Sequence, residues 1–145
     1  MGLALDEAAM APGHGDVPVG CVVIVGGKVV ARRHNERERL GDPTAHAELL
    51  ALRDAAAVVA DGWRLVDATV VVTLEPCPMC AGAVLAARAR RVVFGAPDPR
   101  AGALGSLYNL GADPRLGHEL EVVPGVRAAE AADLLVRFFE ERRPH

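Results

Sequence analysis

Two short motifs far apart in the chain, His46-Ala47-Glu48 and Pro76-Cys77-Pro78-Met79-Cys80, constrain the fold more than anything else in the sequence. Imidazole and thiolate are ligands that zinc takes in a tetrahedron. For His46, Cys77 and Cys80 to share one ion, two segments must be brought start to start. Cys77 stands just before a helical stretch and Cys80 one turn into it, so both sulfurs can face one point. The positive end of that helix favours the thiolate form. The pattern places His46 in the first turn of its own helix. No further Cys or His stands at ligand spacing, which leaves one position of the tetrahedron open, as in a catalytic rather than a structural zinc site.

Glu48 gives the pattern its chemistry. Residues two apart on an ideal helix differ by about 200° in direction, so His46 and Glu48 do not share a helix face. Both can reach a point off the helix end. There Glu48 is placed to take a proton from a water activated by the ion, without being a ligand itself. A C-x-x-C pair alone would suit a structural zinc knuckle equally well. The His-x-Glu upstream, with a buried strand between the motifs, argues for catalysis.

The remaining sequence supplies the frame. Gly2 to Met10 predicts a short helix, broken by Pro12, Gly13 and Gly15. Val17–Val25 and Lys28–His34 read as two strands joined by Gly26-Gly27, a hairpin signal. Asn35 to Gly41 reads as a polar, charged loop. Asp42-Pro43 predicts the opening of a helix that runs to about Ala60. The β-branched run Ala68–Leu74 predicts a central strand buried on both faces. A helix over Met79–Ala89, a strand over Arg91–Gly95, a punctuated loop over Ala96–Leu116, a strand over Leu120–Val123 and a helix over Ala128–Arg143 complete the order. This pattern predicts an α/β fold, one sheet between two layers of helices, with the first two strands antiparallel and strands separated by a helix parallel.

Composition sets the outer limits. The chain has 145 residues, 51% hydrophobic and only 3% aromatic, so its core rests on Val, Leu and Ala. No apolar run reaches the ~18 residues of a membrane span. The first residues carry Asp6 and Glu7 and no basic leader, so the expected location is cytoplasmic. A net charge of −3 argues against gripping nucleic acid by bulk charge but leaves room for a local basic patch. The third cysteine, Cys21, lies in an apolar run and reads as core.

Around the two motifs the sequence resembles the bacterial tRNA-specific adenosine deaminases of the cytidine/deoxycytidylate deaminase superfamily. The resemblance is carried by Asp16-Val17-Pro18-Val19-Gly20, Asp42-Pro43-Thr44-Ala45-His46-Ala47-Glu48, Asp67-Ala68-Thr69 and Thr73-Leu74-Glu75-Pro76-Cys77. It continues through Met79-Cys80-Ala81-Gly82-Ala83, Arg91-Val92-Val93-Phe94-Gly95-Ala96 and Gly102-Ala103-Leu104-Gly105-Ser106-Leu107. The resemblance implies one deaminase domain over residues 1–145, a three-layer α/β/α sandwich with a mixed five-stranded sheet of the cytidine deaminase-like kind. It implies one Zn2+ per subunit, a homodimer, and hydrolysis of the wobble adenosine of a tRNA anticodon to inosine. It also implies that Asn35 contacts the flipped base and that Asp98 lies near the RNA backbone at the mouth of the site. The rival expectations are a deaminase of free guanine, cytosine or a nucleoside, and a non-catalytic zinc- or RNA-binding subunit. Glu48 argues against the last, which has no use for a proton carrier.

Overall fold

β-branched residues build the centre of the molecule. The structure, a computed structural model, describes residues 1–59 and 61–143. Its strands are β1 (Gly20–Val25), β2 (Lys28–His34), β3 (Thr69–Leu74), β4 (Arg91–Ala96) and β5 (Glu121–Val123), in sheet order β2-β1-β3-β4-β5. β1 pairs antiparallel with β2 and with β3, while β3–β4 and β4–β5 are parallel. The sheet is therefore mixed and five-stranded, as predicted. β2 and β3, which a helix separates in the chain, run the same way with β1 between them. Gly26 and Gly27 both take left-handed backbone, φ 58° and 75°, which is what the tight β1–β2 turn demands.

Helices cover both faces. α3 (Ala47–Val58) and α4 (Pro78–Ala86) lie on one side, and α1 (Gly2–Ala8) and α5 (Ala128–Glu141) on the other. β3 shows why its sequence is almost unbroken valine. Val70 and Val72 join the core under α3 and α4, while Val71 packs with Val22 and Ala4 under α1. α1 approaches β1 closely because position 20 has no side chain: a Cβ on Gly20 would sit 1.9 Å from the Ala4 carbonyl oxygen.

The structure corrects several predicted boundaries. Asp42 does not open a helix. Its Oδ1 accepts from the Thr44 N–H at 2.8 Å and from the Thr44 hydroxyl at 2.7 Å, closing a local turn. The Ala45 carbonyl accepts from the Glu36 N–H at 3.0 Å, which keeps this stretch extended alongside the end of β2. The helix begins only at Ala47, with His46 as an extended N-cap at φ −72°, ψ 149°. Residue 60, where its end was expected, lies outside the described residues. The expected loop after Asn35 contains one helical turn, α2 (Arg37–Leu40). The Asp16 carboxylate holds it there by accepting from the Glu38 and Arg39 N–H groups at 2.9 and 3.2 Å. α1, α4 and α5 end earlier than predicted, and β1 starts at Gly20 rather than Val17. β4 and β5 are joined through two short 3-10 turns, Leu110–Ala112 and Pro114–Leu116.

Candidate active site

Two helix starts meet at one point. His46 is the N-cap of α3 and Cys77 the N-cap of α4, and neither makes a side-chain capping bond. Residues that would ordinarily be Ser or Asp are here free to act elsewhere. For α3 the missing cap comes from another element: Asn35 Oδ1 accepts from the Ala47 N–H at 2.8 Å. Cys80 lies buried in the first turn of α4, and Glu48 is buried in the first turn of α3.

The His46 Nδ1 atom stands 3.7 Å from Cys77 Sγ and 3.4 Å from Cys80 Sγ. Two ligands of a tetrahedral zinc, at N and S bond lengths, lie about 3.6 Å apart. The three ligand atoms all fall within 4.8 Å of one another, and among the described residues this is the one group of three or more such side chains drawn together.

Electrostatics point the same way. The Cys77 thiol is pulled down to about 4, first by the hydrogen bond from Cys80 and then, against burial, by His46. Cys80 is pushed up, because its thiol donates a hydrogen bond to Cys77 and is buried near the Glu48 carboxylate. The bond with Cys77 raises His46, against burial. Burial raises Glu48 above the usual carboxylate range, and the negative charge of Cys77 adds to that. Without a cation, only one of the two sulfurs can hold a charge. A divalent cation among the imidazole and the two sulfurs removes that conflict, so this donor set fits zinc.

A cavity of about 170 Å³ opens over the group, lined among others by Asn35, His46, Glu48, Glu75, Cys77 and Asp98. Five of the six residues singled out in the sequence thus face one space, with the sixth, Cys80, buried beneath it. Asp98 sits at the mouth. Its Oδ1 accepts from the Arg100 and Ala101 N–H groups at 3.0 and 3.2 Å, so half of its carboxylate holds its own turn. Sequence reasoning gave no role to Glu75, which is 2% exposed and accepts bonds from the loop bearing Asp98. Four hydrogen bonds outweigh its burial and keep its carboxyl below the usual range. Its sequence signal was a charge at the end of an apolar strand.

The sequence model described as the cytidine and deoxycytidylate deaminase zinc-binding region matches residues 1–96. The chain belongs to that family. The deaminase is similar to the tRNA-specific adenosine deaminase of Bacillus subtilis (strain 168), with 47% identity over 140 residues, 97% of this chain and 86% of the relative. It is similar in structure to a protein solved in work on A-to-I editing by tRNA:A34 deaminases at the wobble position of transfer RNA. That match has a TM-score of 0.89 and 41% identity, and covers 93% of this chain and 97% of the other. The guanine deaminase of Nitrosomonas europaea is more distant, with a TM-score of 0.75 and 26% identity over 94% of this chain and 81% of the other. The deaminase is thus a zinc-dependent hydrolytic enzyme. Among the described residues no helix is long and apolar enough to cross a membrane.

Proposed function

We propose that this deaminase hydrolyses the wobble adenosine of a tRNA anticodon to inosine and releases ammonia. One observation carries the reading beyond the shared deaminase chemistry. The small cavity adjoins a groove of about 820 Å³ between the loop at Pro97–Arg100 and α5. The two share Val17, Leu74 and Asp98 as lining. Arg100, Phe139 and Arg143 line the groove, and Phe139 is 52% exposed. A free base needs only the small cavity. An exposed aromatic ring flanked by arginines suits nucleotides on either side of a flipped base. The resemblance to tRNA-specific enzymes supports the same substrate.

Each site residue then has a role. His46, Cys77 and Cys80 would hold zinc, and a bound ion would supply the Lewis acidity that brings the pKa of water toward ~7. Glu48 takes one proton from the attacking water and passes it to N1 of the purine as the oxygen adds to C6. It then carries the second proton to the amino group, which leaves as ammonia. Burial makes Glu48 a stronger base than an exposed carboxylate, which suits a proton carrier. Asn35 spends its Oδ1 on Ala47, so its Nδ2 hydrogens are what it offers the base. Asp98 lies where the groove meets the cavity and faces the backbone beside the flipped nucleotide.

The proposal extends to a single deaminase domain over the whole chain, a homodimer and a cytoplasmic setting where tRNA is met. A small open-edged site needs further walls to hold an anticodon loop. Zinc-loaded protein is tested on an anticodon stem-loop with a wobble adenosine, and separately on guanine, cytosine and adenosine. Inosine in the stem-loop is the expected product. Ammonia from a free base, with the stem-loop untouched, overturns the tRNA reading in favour of a small-molecule deaminase. Sedimentation at micromolar concentration is expected to give a dimer.

A further inference from the structure

We infer that Glu75 is a positioning residue: it fixes the substrate-facing loop that carries Asp98 against the segment that carries Cys77. The inference rests on the tRNA reading above and concerns the same site. Glu75 directly follows β3, lines the cavity two positions before Cys77, and is 2% exposed. Its carboxylate gathers the loop from three places. Oε1 accepts from the Asp98 N–H at 3.0 Å and from the Ser106 hydroxyl. Oε2 accepts from the Leu104 and Ser106 N–H groups at 3.0 and 3.1 Å. None of the four donors carries a charge.

The loop is shaped around this carboxylate. A Cβ on Gly102 would lie 2.3 Å from Glu75 Oε2 and 2.5 Å from Oε1, so a side chain there would have to push the carboxylate aside. Beside it, the Gly102 N–H donates to the Asp98 carbonyl at 2.8 Å, and the Ala103 N–H to the Pro76 carbonyl at 2.9 Å. Pro76 immediately precedes the candidate ligand Cys77. One buried side chain thereby relates the floor of the site, where the metal ligands lie, to its rim, where Asp98 meets the groove. The Asp98 carboxylate adds nothing to this link, since its own bonds stay within its turn.

The residue type is part of the argument. An ionised carboxylate offers about four acceptor sites and no donor. An amide of the same shape accepts at one oxygen and turns its N–H bonds toward backbone N–H groups, among which only the Ser106 hydroxyl can accept. Glu75→Gln therefore keeps the volume and breaks the clamp. Ser106→Ala removes one donor of the four and leaves the backbone bonds in place.

The test is steady-state deamination of the anticodon stem-loop by zinc-loaded wild type, Glu75→Gln and Ser106→Ala, with rates normalised to bound zinc. Amide exchange at Asp98, Leu104 and Ser106 is followed alongside. For Glu75→Gln the expectation is a KM raised about tenfold or more, as for lost bonds to a charged acceptor. Its kcat per bound zinc should stay close to wild type, and the three amides should exchange faster. Ser106→Ala should shift KM the same way by less, and it decides the matter alone if Glu75→Gln does not fold. Faster exchange with KM unchanged overturns the inference, because Glu75 then serves only the fold. So does a loss of zinc or kcat with KM unchanged, which places its effect on the metal segment. If wild type leaves the stem-loop untouched, the tRNA reading is what fails, and the same KM comparison is made on the free base that the protein does turn over.

Discussion

At Glu48, burial and the neighbouring imidazole act against each other. Burial lifts its carboxyl, and the neighbouring Cys77 sulfur lifts it further, while the His46 imidazole opposes both. A side chain held this way gains nothing for the fold by being ionisable; a glutamine would fill the same space without the cost of a buried charge. A carboxylate in that place suits a group that moves protons. Glu48→Gln should keep zinc at wild-type stoichiometry, measured by elemental analysis, and lower kcat by roughly 10²–10⁴-fold, the usual share of general acid–base catalysis. Normal turnover with zinc bound would remove Glu48 from the proposed mechanism. The cysteines need a different argument, because Cys77 alone holds its thiolate readily and Cys80 does not. Their asymmetry is that of two neighbouring thiols sharing one proton, and a divalent cation between them would remove it.

At the scale of elements, close backbone approach decides where the helices sit. α1 rests on β1 at Gly20, where a Cβ would also lie 2.6 Å from the Ala8 N. Both neighbours are backbone and cannot rotate away. Gly20→Ala should destabilise the fold by about 1–3 kcal/mol, the usual range for overpacking, read from urea denaturation. α2 depends instead on a charge. Burial would raise the Asp16 carboxyl, but bonds from Glu38, Arg39 and His14 outweigh it and the pKa falls below 3.8. A lowered folded-state value means Asp16 stabilises the fold above pH ~4 and that this contribution fades as pH drops through the folded-state value. The urea midpoints of wild type and Asp16→Asn should therefore differ at neutral pH and converge in strong acid. A gap that persists unchanged into strong acid would show that ionisation of Asp16 is not what holds α2. These elements also show what the sequence could reveal. The sheet, the hairpin and the pairing of the two cysteines at one helix start were legible because valine runs, Gly-Gly and Cys-x-x-Cys act over a few neighbours. The delayed start of α3 was not, because a long-range bond, Glu36 N–H to the Ala45 carbonyl, overrides a good local capping signal at Asp42. α2 and the Glu75 clamp were hidden for the same reason: their partners lie 22 to 31 residues away.

At the scale of the whole molecule, a chain of net charge −3 is proposed to bind RNA. Bulk attraction cannot supply the affinity, and among the described residues the groove has only Arg100 and Arg143 as basic lining against Asp98 and Glu140. With so few phosphate contacts, the dependence of KM on salt should be shallow. The remaining source of binding is stacking. α5 turns Phe138 inward, where it is buried beneath the Arg142 guanidinium, and leaves its neighbour Phe139 facing the groove. Base–aromatic stacking contributes about 1–3 kcal/mol per base, so Phe139→Ala should raise KM for the stem-loop roughly 5- to 150-fold. Zinc content and the urea midpoint should hardly move, since the ring is half exposed. The result is read at two salt concentrations. If Phe139→Ala leaves KM alone while KM rises steeply with salt, binding runs through charges elsewhere on the surface, and the groove along α5 is not where the RNA lies.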